Sequence, residues 1–141
     1  MKLQRLTDTG LTVVEEISLP NDLLWTDEFS WNAVVRKSEY SLTGALLVQV
    51  ARKLMGRPIS LSPPDQEMAW VDRSTAEKLI AWGDLTILRM RLVLEYPEDT
   101  RQFIVSFADG DGPVSAKPVR GFPGHSDSDE FQVTLSLKEI E

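Results

Sequence analysis

The single histidine of the chain, His125, stands beside Ser126 and Asp127. Serine, histidine and aspartate can together activate a hydroxyl: the imidazole takes the nucleophile's proton and the carboxylate fixes the imidazole's tautomer. That chemistry needs three groups held rigidly and brought together from separate places. Three consecutive residues inside the Gly-, Pro-, Ser- and Asp-rich stretch Arg120–Asp129 cannot converge on one another, so His125 reads as a solvated loop residue. Asp109, Asp111, Asp127, Asp129 and Glu130 are the second candidate, because a hard cation takes six to eight oxygens. The Asp109-Gly110-Asp111-Gly112 run lacks the spaced third acid and distal glutamate of a calcium loop, and a turn accounts for it better. Asp27-Glu28 and Glu15-Glu16 are adjacent carboxylates, which a strand sends to opposite faces. There is no cysteine, no phosphate-binding glycine loop, no H-x-x-x-H and no G-x-S-x-G. The expectation is a protein that is not an enzyme and holds no metal or cofactor.

The working surface is sought instead in Trp25 to Trp31, with Tyr40 beyond it. Aromatic side chains rimmed by charge are typical anchors of protein–protein contacts. Trp25, Asp27, Phe29, Trp31 and Tyr40 are therefore the candidate interface. The competing reading is core packing, and for Phe29 and Trp31 the two weigh about evenly. Trp25 sits in a stretch that reads as loop, which favours the interface for it and for Tyr40.

The elements that must carry these residues are nearly all strands. One stretch, Arg57–Gly83, changes from a period of two to one near 3.6. There Arg57–Leu61 reads as a strand, Ser62–Asp65 as a turn and Met68–Val71 as a strand returning beside the first. A short helix near 74–82 follows, with Ser74 as N-cap, Glu77 closing a capping box and Gly83 past the end. Ala76, Leu79 and Ile80 supply its apolar stripe, and so short a helix must lie on a sheet.

Strands are predicted at Leu11–Ile17, paired with Lys2–Leu6, and from Phe29 through Trp31 and Ala33 to Val35. Tyr40–Gly44 reads as a connection. In Ala45–Leu54 good helix formers compete with an alternating pattern, and Val48 and Val50 favour a strand. Ile87–Tyr96 alternates, with Leu88, Met90, Leu92, Leu94 and Tyr96 inward. Arg101–Ala108 returns after the Pro97-Glu98-Asp99 turn, and Val114–Val119 is its expected partner across a positive-φ glycine turn. The last strand, with Phe131, Val133, Leu135 and Leu137 on one face, is expected at the centre of the sheet. The fold class is mainly β (α+β): an antiparallel β-barrel, split barrel or sandwich with one short packed helix, in a single domain over residues 1–141.

Composition limits the partners. The net charge is −7, and residues 65–141 carry all of it, with eight basic and fifteen acidic side chains against seven of each before them. An acidic chain repels phosphate backbones, so no nucleic acid is expected. No apolar run approaches the ~20 residues that span a bilayer, and Lys2, Arg5 and Asp8 interrupt the first ten residues, unlike a signal peptide. The expectation is a soluble chain made in a reducing cytoplasm, with no membrane partner.

Several phrases taken together resemble small phage and prophage tail proteins. They are Leu24–Trp31, Ser41–Leu46, Gly56–Ile59, Trp70-Val71 before a short helix, Phe107–Gly110 followed by Ala116–Pro118, and Phe131–Leu137. The resemblance is to tail-tip and baseplate proteins built on a β-barrel or split-barrel hub, such as distal tail proteins of long non-contractile tails. It implies a non-enzymatic structural subunit of the virion tail, made in the bacterial cytoplasm. The subunit would assemble as a homo-oligomer and with tube and hub proteins. Distal tail proteins often carry a second outward-facing domain, for which 141 residues leave no room. The alternative is a small-ligand-binding β-barrel, which ranks second because large inward Leu, Phe and Val side chains would fill a small barrel.

Overall fold

A computed structural model describes residues 1–86, 89–120 and 126–141. His125, Gly121–Gly124, Ile87 and Leu88 lie outside them. The fold is mainly β with antiparallel pairing. Its strands are β1 (Lys2–Leu6), β2 (Val13–Ser18), β3 (Leu24–Trp25), β4 (Val34–Tyr40), β5 (Leu46–Arg52), β6 (Pro58–Ser62), β7 (Trp70–Asp72), β8 (Met90–Val93), β9 (Gln102–Phe107), β10 (Val114–Pro118) and β11 (Glu130–Glu139). One helix, α1, spans Arg73–Gly83.

Nine strands form one sheet in the order β2-β1-β8-β9-β11-β6-β3, with β7 and β10 also on β11. Its end strands β2 and β3 do not pair, so the sheet is sandwich-like and not a closed barrel. The last strand is central, as its strict alternation predicts. β11 is ten residues long, and four strands share its two edges. Along one edge lie β7, opposite Glu130–Gln132, and β6, opposite Leu135–Lys138. Along the other lie β10, opposite Phe131–Leu135, and β9, opposite Leu137–Glu139.

This arrangement corrects two expected hairpins. Met68–Val71 does not return beside the Arg57–Leu61 strand, and Val114–Val119 is not the partner of Arg101–Ala108. In each case the two short strands line up end to end and both pair with β11. A long apolar strand offers each short strand a full ladder. A local turn could offer each only the other, and alternation does not encode which neighbour is chosen. Gly110 and Gly112 do take positive φ, 99° and 71°, as the turn between them requires.

The core gathers Leu3, Ile59, Leu61, Leu79, Met90, Leu92, Val105, Val133 and Leu135, all fully buried. At roughly 1.5–3 kcal/mol for each such side chain, this cluster dominates the folding energy. α1 lies against β7, β10 and β11 through Ala76, Leu79 and Trp82. Ile80, assigned to the buried stripe, is exposed, and Trp82 takes its place. The Trp82 indole Nε1 donates to Glu15 Oε2 at 3.0 Å, which ties the helix to β2 at the sheet's far edge.

The predicted capping box does not form. The N-cap is Asp72, without a side-chain bond, and Ser74 is inside the first turn. The free amides are met from outside: Arg73 N–H donates to Asp129 O and Ser74 N–H to Asp127 O. Glu77 pairs instead with Arg73 at 2.9 Å. Tertiary carbonyls thus replace the local cap.

Candidate interaction surface

β4 and β5 form a two-stranded sheet of their own, separate from the nine-stranded one. Among the described residues they pair only with each other, from Val34 opposite Arg52 to Tyr40 opposite Leu46. Gly44, at φ 84°, closes the turn. Between residues 34 and 54 only Val34 and Ser41 are not exposed. The strand predicted over Ala45–Leu54 is present, but it belongs to an arm and not to the body. An isolated two-stranded hairpin is marginal in water, and this one leaves Val35, Tyr40, Leu42, Leu46, Leu47, Val48 and Val50 open to solvent.

The aromatic-acidic segment is the mount of that arm. It is not a strand: Thr26–Ser30 is a turn, and β4 begins only at Val34, which corrects the strand expected from Phe29. Trp25 is not a loop residue either. It lies in β3 beside Leu61 of β6 and is only 8% exposed, so it packs in the core and presents little surface. The Phe103 ring meets it edge-on at 5.4 Å, and the Arg57 and Arg101 guanidinium groups lie 4.8 and 5.6 Å from its ring centre.

Asp27 likewise faces inward. Its Oδ1 accepts from Ser60 N–H and its Oδ2 from Ser60 Oγ, both at 2.9 Å, so the carboxylate continues the ladder that β3 begins on β6. Glu28 accepts from Arg57 at its carbonyl and from Arg101 at its carboxylate. Arg101 is also bound by Asp99, and these two carboxylates, Asp99 first, push its pKa up while Arg101 pulls that of Asp99 down. Trp31 is half-buried under the Lys53 ammonium, 5.4 Å from its ring centre. Lys53 N–H donates to Ala33 O at 2.7 Å, which closes the two feet of the hairpin on each other, and Gly56 N–H donates to Glu139 O at 3.0 Å, which ties the second foot to the body.

Of the five residues chosen from sequence, two are fully presented to solvent: Phe29, 93% exposed, and Tyr40, 77% exposed at the arm's end. The arm's own apolar residues were missed as a surface. Their alternation is the same signal that a half-buried strand gives, and period alone cannot say whether a sheet exists to bury them.

An open cleft of about 560 Å³ lies between Ser62–Gln66 and the β10–β11 pair, and one of about 360 Å³ lies beside Trp25 and Tyr96. Among the described residues no three His, Asp or Glu side chains gather closely enough to hold a metal ion. Asp109 pairs with Lys138 near one end of β11, while Asp127 and Asp129 precede the other end. Among the described residues no helix is long and apolar enough to cross a membrane. Comparison of the chain with protein-family models, with curated proteins and with solved structures finds no significant match.

Proposed function

We propose that this chain is a non-enzymatic structural subunit of a phage or prophage tail tip or baseplate, assembling through protein–protein contacts. The observation that carries the reading is the β4–β5 hairpin. It is anchored at its base, and among the described residues it pairs with no other strand and its apolar side chains find no cover on the chain's own body. Assembly proteins place such segments on neighbours, where an added strand or an apolar ribbon is buried. Its partners are further copies of the chain and tail-tube or hub proteins, in the virion tail.

The alternative of a small-ligand barrel draws no support from the packing. Leu61, Leu92, Val105 and Leu135 fill the interior of an open sheet, and the larger cleft described above is open to solvent and lined mainly by polar side chains such as Asp65, Gln66, Lys117 and Thr134. Antibody labelling of tail particles purified from an induced host tests the proposal. The expected result is label at one end of each tail; intact purified tails that carry none of the chain overturn it.

A further inference from the structure

The two faces of the arm are chemically different. Directly opposite residues share a face, so Val34, Tyr40, Leu46, Val48 and Val50 lie together with Arg36, Arg52 and Ser38. That face has five apolar or aromatic side chains, two arginines and no acid. This is the composition of an interface core, in which Tyr and Arg are enriched and Glu and Asp depleted. The opposite face carries Lys37, Glu39 and Gln49 beside Val35, Leu47 and Ala51. Among the described residues, Arg36, Lys37 and Arg52 meet no carboxylate within ion-pair distance.

Charge is divided sharply between arm and body. Residues 34–53 hold Arg36, Lys37, Arg52 and Lys53 against Glu39, a net +3. Eleven basic and twenty-one acidic side chains remain elsewhere, a net −10. One place where the body's acidity is left open is the start of β11. There Asp72 stands directly opposite Glu130 in the β7–β11 ladder, a like-charge pair that costs stability. Trp70 shares their face and is 41% exposed, with Met68 just before it at 40%. Glu67 and Asp127 are exposed close by in sequence to these residues. None of these four carboxylates meets a cation within ion-pair distance among the described residues. Arg73 is engaged by Glu77, and Lys117 lies on the same face opposite Gln132.

We infer that the arm of one copy docks, through its Arg36/Arg52 face, on the Met68–Trp70 surface of a second copy. Val48, Val50 and Tyr40 cover the exposed Met68 and Trp70, while Arg36 and Arg52 meet Asp72 and Glu130. Each surface supplies what the other lacks, an apolar stripe flanked by cations against an apolar pair flanked by carboxylates. The arm's base is fastened at Glu139 and the acidic surface begins at Glu130, about 30 Å away along β11 at 3.3 Å per residue. The two surfaces are different and lie apart on one copy, so one-way docking repeats into a ring or filament and reciprocal docking closes a two-fold dimer. This deepens the assembly role proposed above and rests on it, with the partner now a second copy of the same chain.

The test is a charge swap on the full chain, read by sedimentation. Arg36→Glu with Arg52→Glu reverses the arm, and Glu67→Lys with Glu130→Lys reverses the receiving surface; all four residues are exposed. Circular dichroism and melting confirm that both variants fold. The expected result is that each weakens self-association about tenfold or more, that raised salt weakens the wild type, and that the two variants mixed together associate again. A wild type that stays monomeric, a surface variant that associates normally, or a mixture that fails to recover each overturns the inference. Monomeric chain found on tail tips would overturn the self-docking alone, whereas self-association without any tail labelling would overturn the tail assignment alone.

Discussion

The Arg57 guanidinium lies 4.8 Å from the centre of the Trp25 ring while its Nη2 donates to the Glu28 carbonyl oxygen at 3.0 Å. One side chain thereby ties the buried Trp25 of β3 to the turn that leads into the arm, and it approaches Trp31 as well, at 5.9 Å. Replacing Arg57 by Met keeps much of the stem packing and removes the charge and the donor. The expected loss is about 1–3 kcal/mol, read by chemical denaturation. Trp25→Ala should cost about 3–5 kcal/mol, the range for a large aromatic deleted from a core. A loss below about 1 kcal/mol for Trp25→Ala would show that the segment is not part of the core.

Asp27→Ala leaves the Ser60 amide and hydroxyl without their acceptor. An expected cost of about 2–3 kcal/mol follows from two hydrogen bonds to a charged group. Hydrogen exchange should show the Ser60 amide opening in the variant while β11 stays protected.

Gln132 is the one buried polar side chain among the described residues, and its Nε2 donates to Asp65 O and Met68 O at 2.8 and 2.9 Å. Gln132→Leu has nearly the right volume but strands both carbonyls. It should destabilise by about 1–3 kcal/mol, and the loop from Asp65 to Met68 should become the first site cut by protease.

Val48→Lys and Val50→Lys place charges on the apolar face of the arm, where nothing in the free chain covers them. The melting temperature should shift little, since surface changes stay within about 0.5 kcal/mol. Self-association should be lost. A large drop in stability would mean that the body, and not a partner, buries these residues.

Stability should fall at both ends of the pH scale. Arg101 holds the Asp99 carboxyl below its ordinary 3.8, and Lys2 holds Glu95 below 4.5. These carboxyls bind protons less readily folded than unfolded, so their contribution is present above those values and is lost as pH drops through the folded ones. Burial raises the Tyr96 phenol above 10.0, and Glu95 raises Lys2 above 10.5. Those contributions are present below 10.0 and 10.5 and are lost as pH climbs past the raised values. Denaturation midpoints across pH check both limbs. Asp99→Asn should flatten the acid limb and Tyr96→Phe the alkaline one.

The β class, the short helix and the central place of the last strand follow from the sequence by itself. Phe131, Val133, Leu135 and Leu137 alternate too strictly for anything but a strand with one buried face, and Ala76 with Leu79 at helical spacing needs a surface to lie on. Pairing was decided by tertiary structure, because period two is the same for a strand beside its sequence neighbour and for one beside β11. Burial was decided there too. Trp25 and Val50 look alike in a list of apolar residues, yet one is buried beside two guanidinium groups and the other stands in water. Exposure depends on whether another element arrives to cover a side chain, and that is a property of the whole chain's packing and not of any stretch within it.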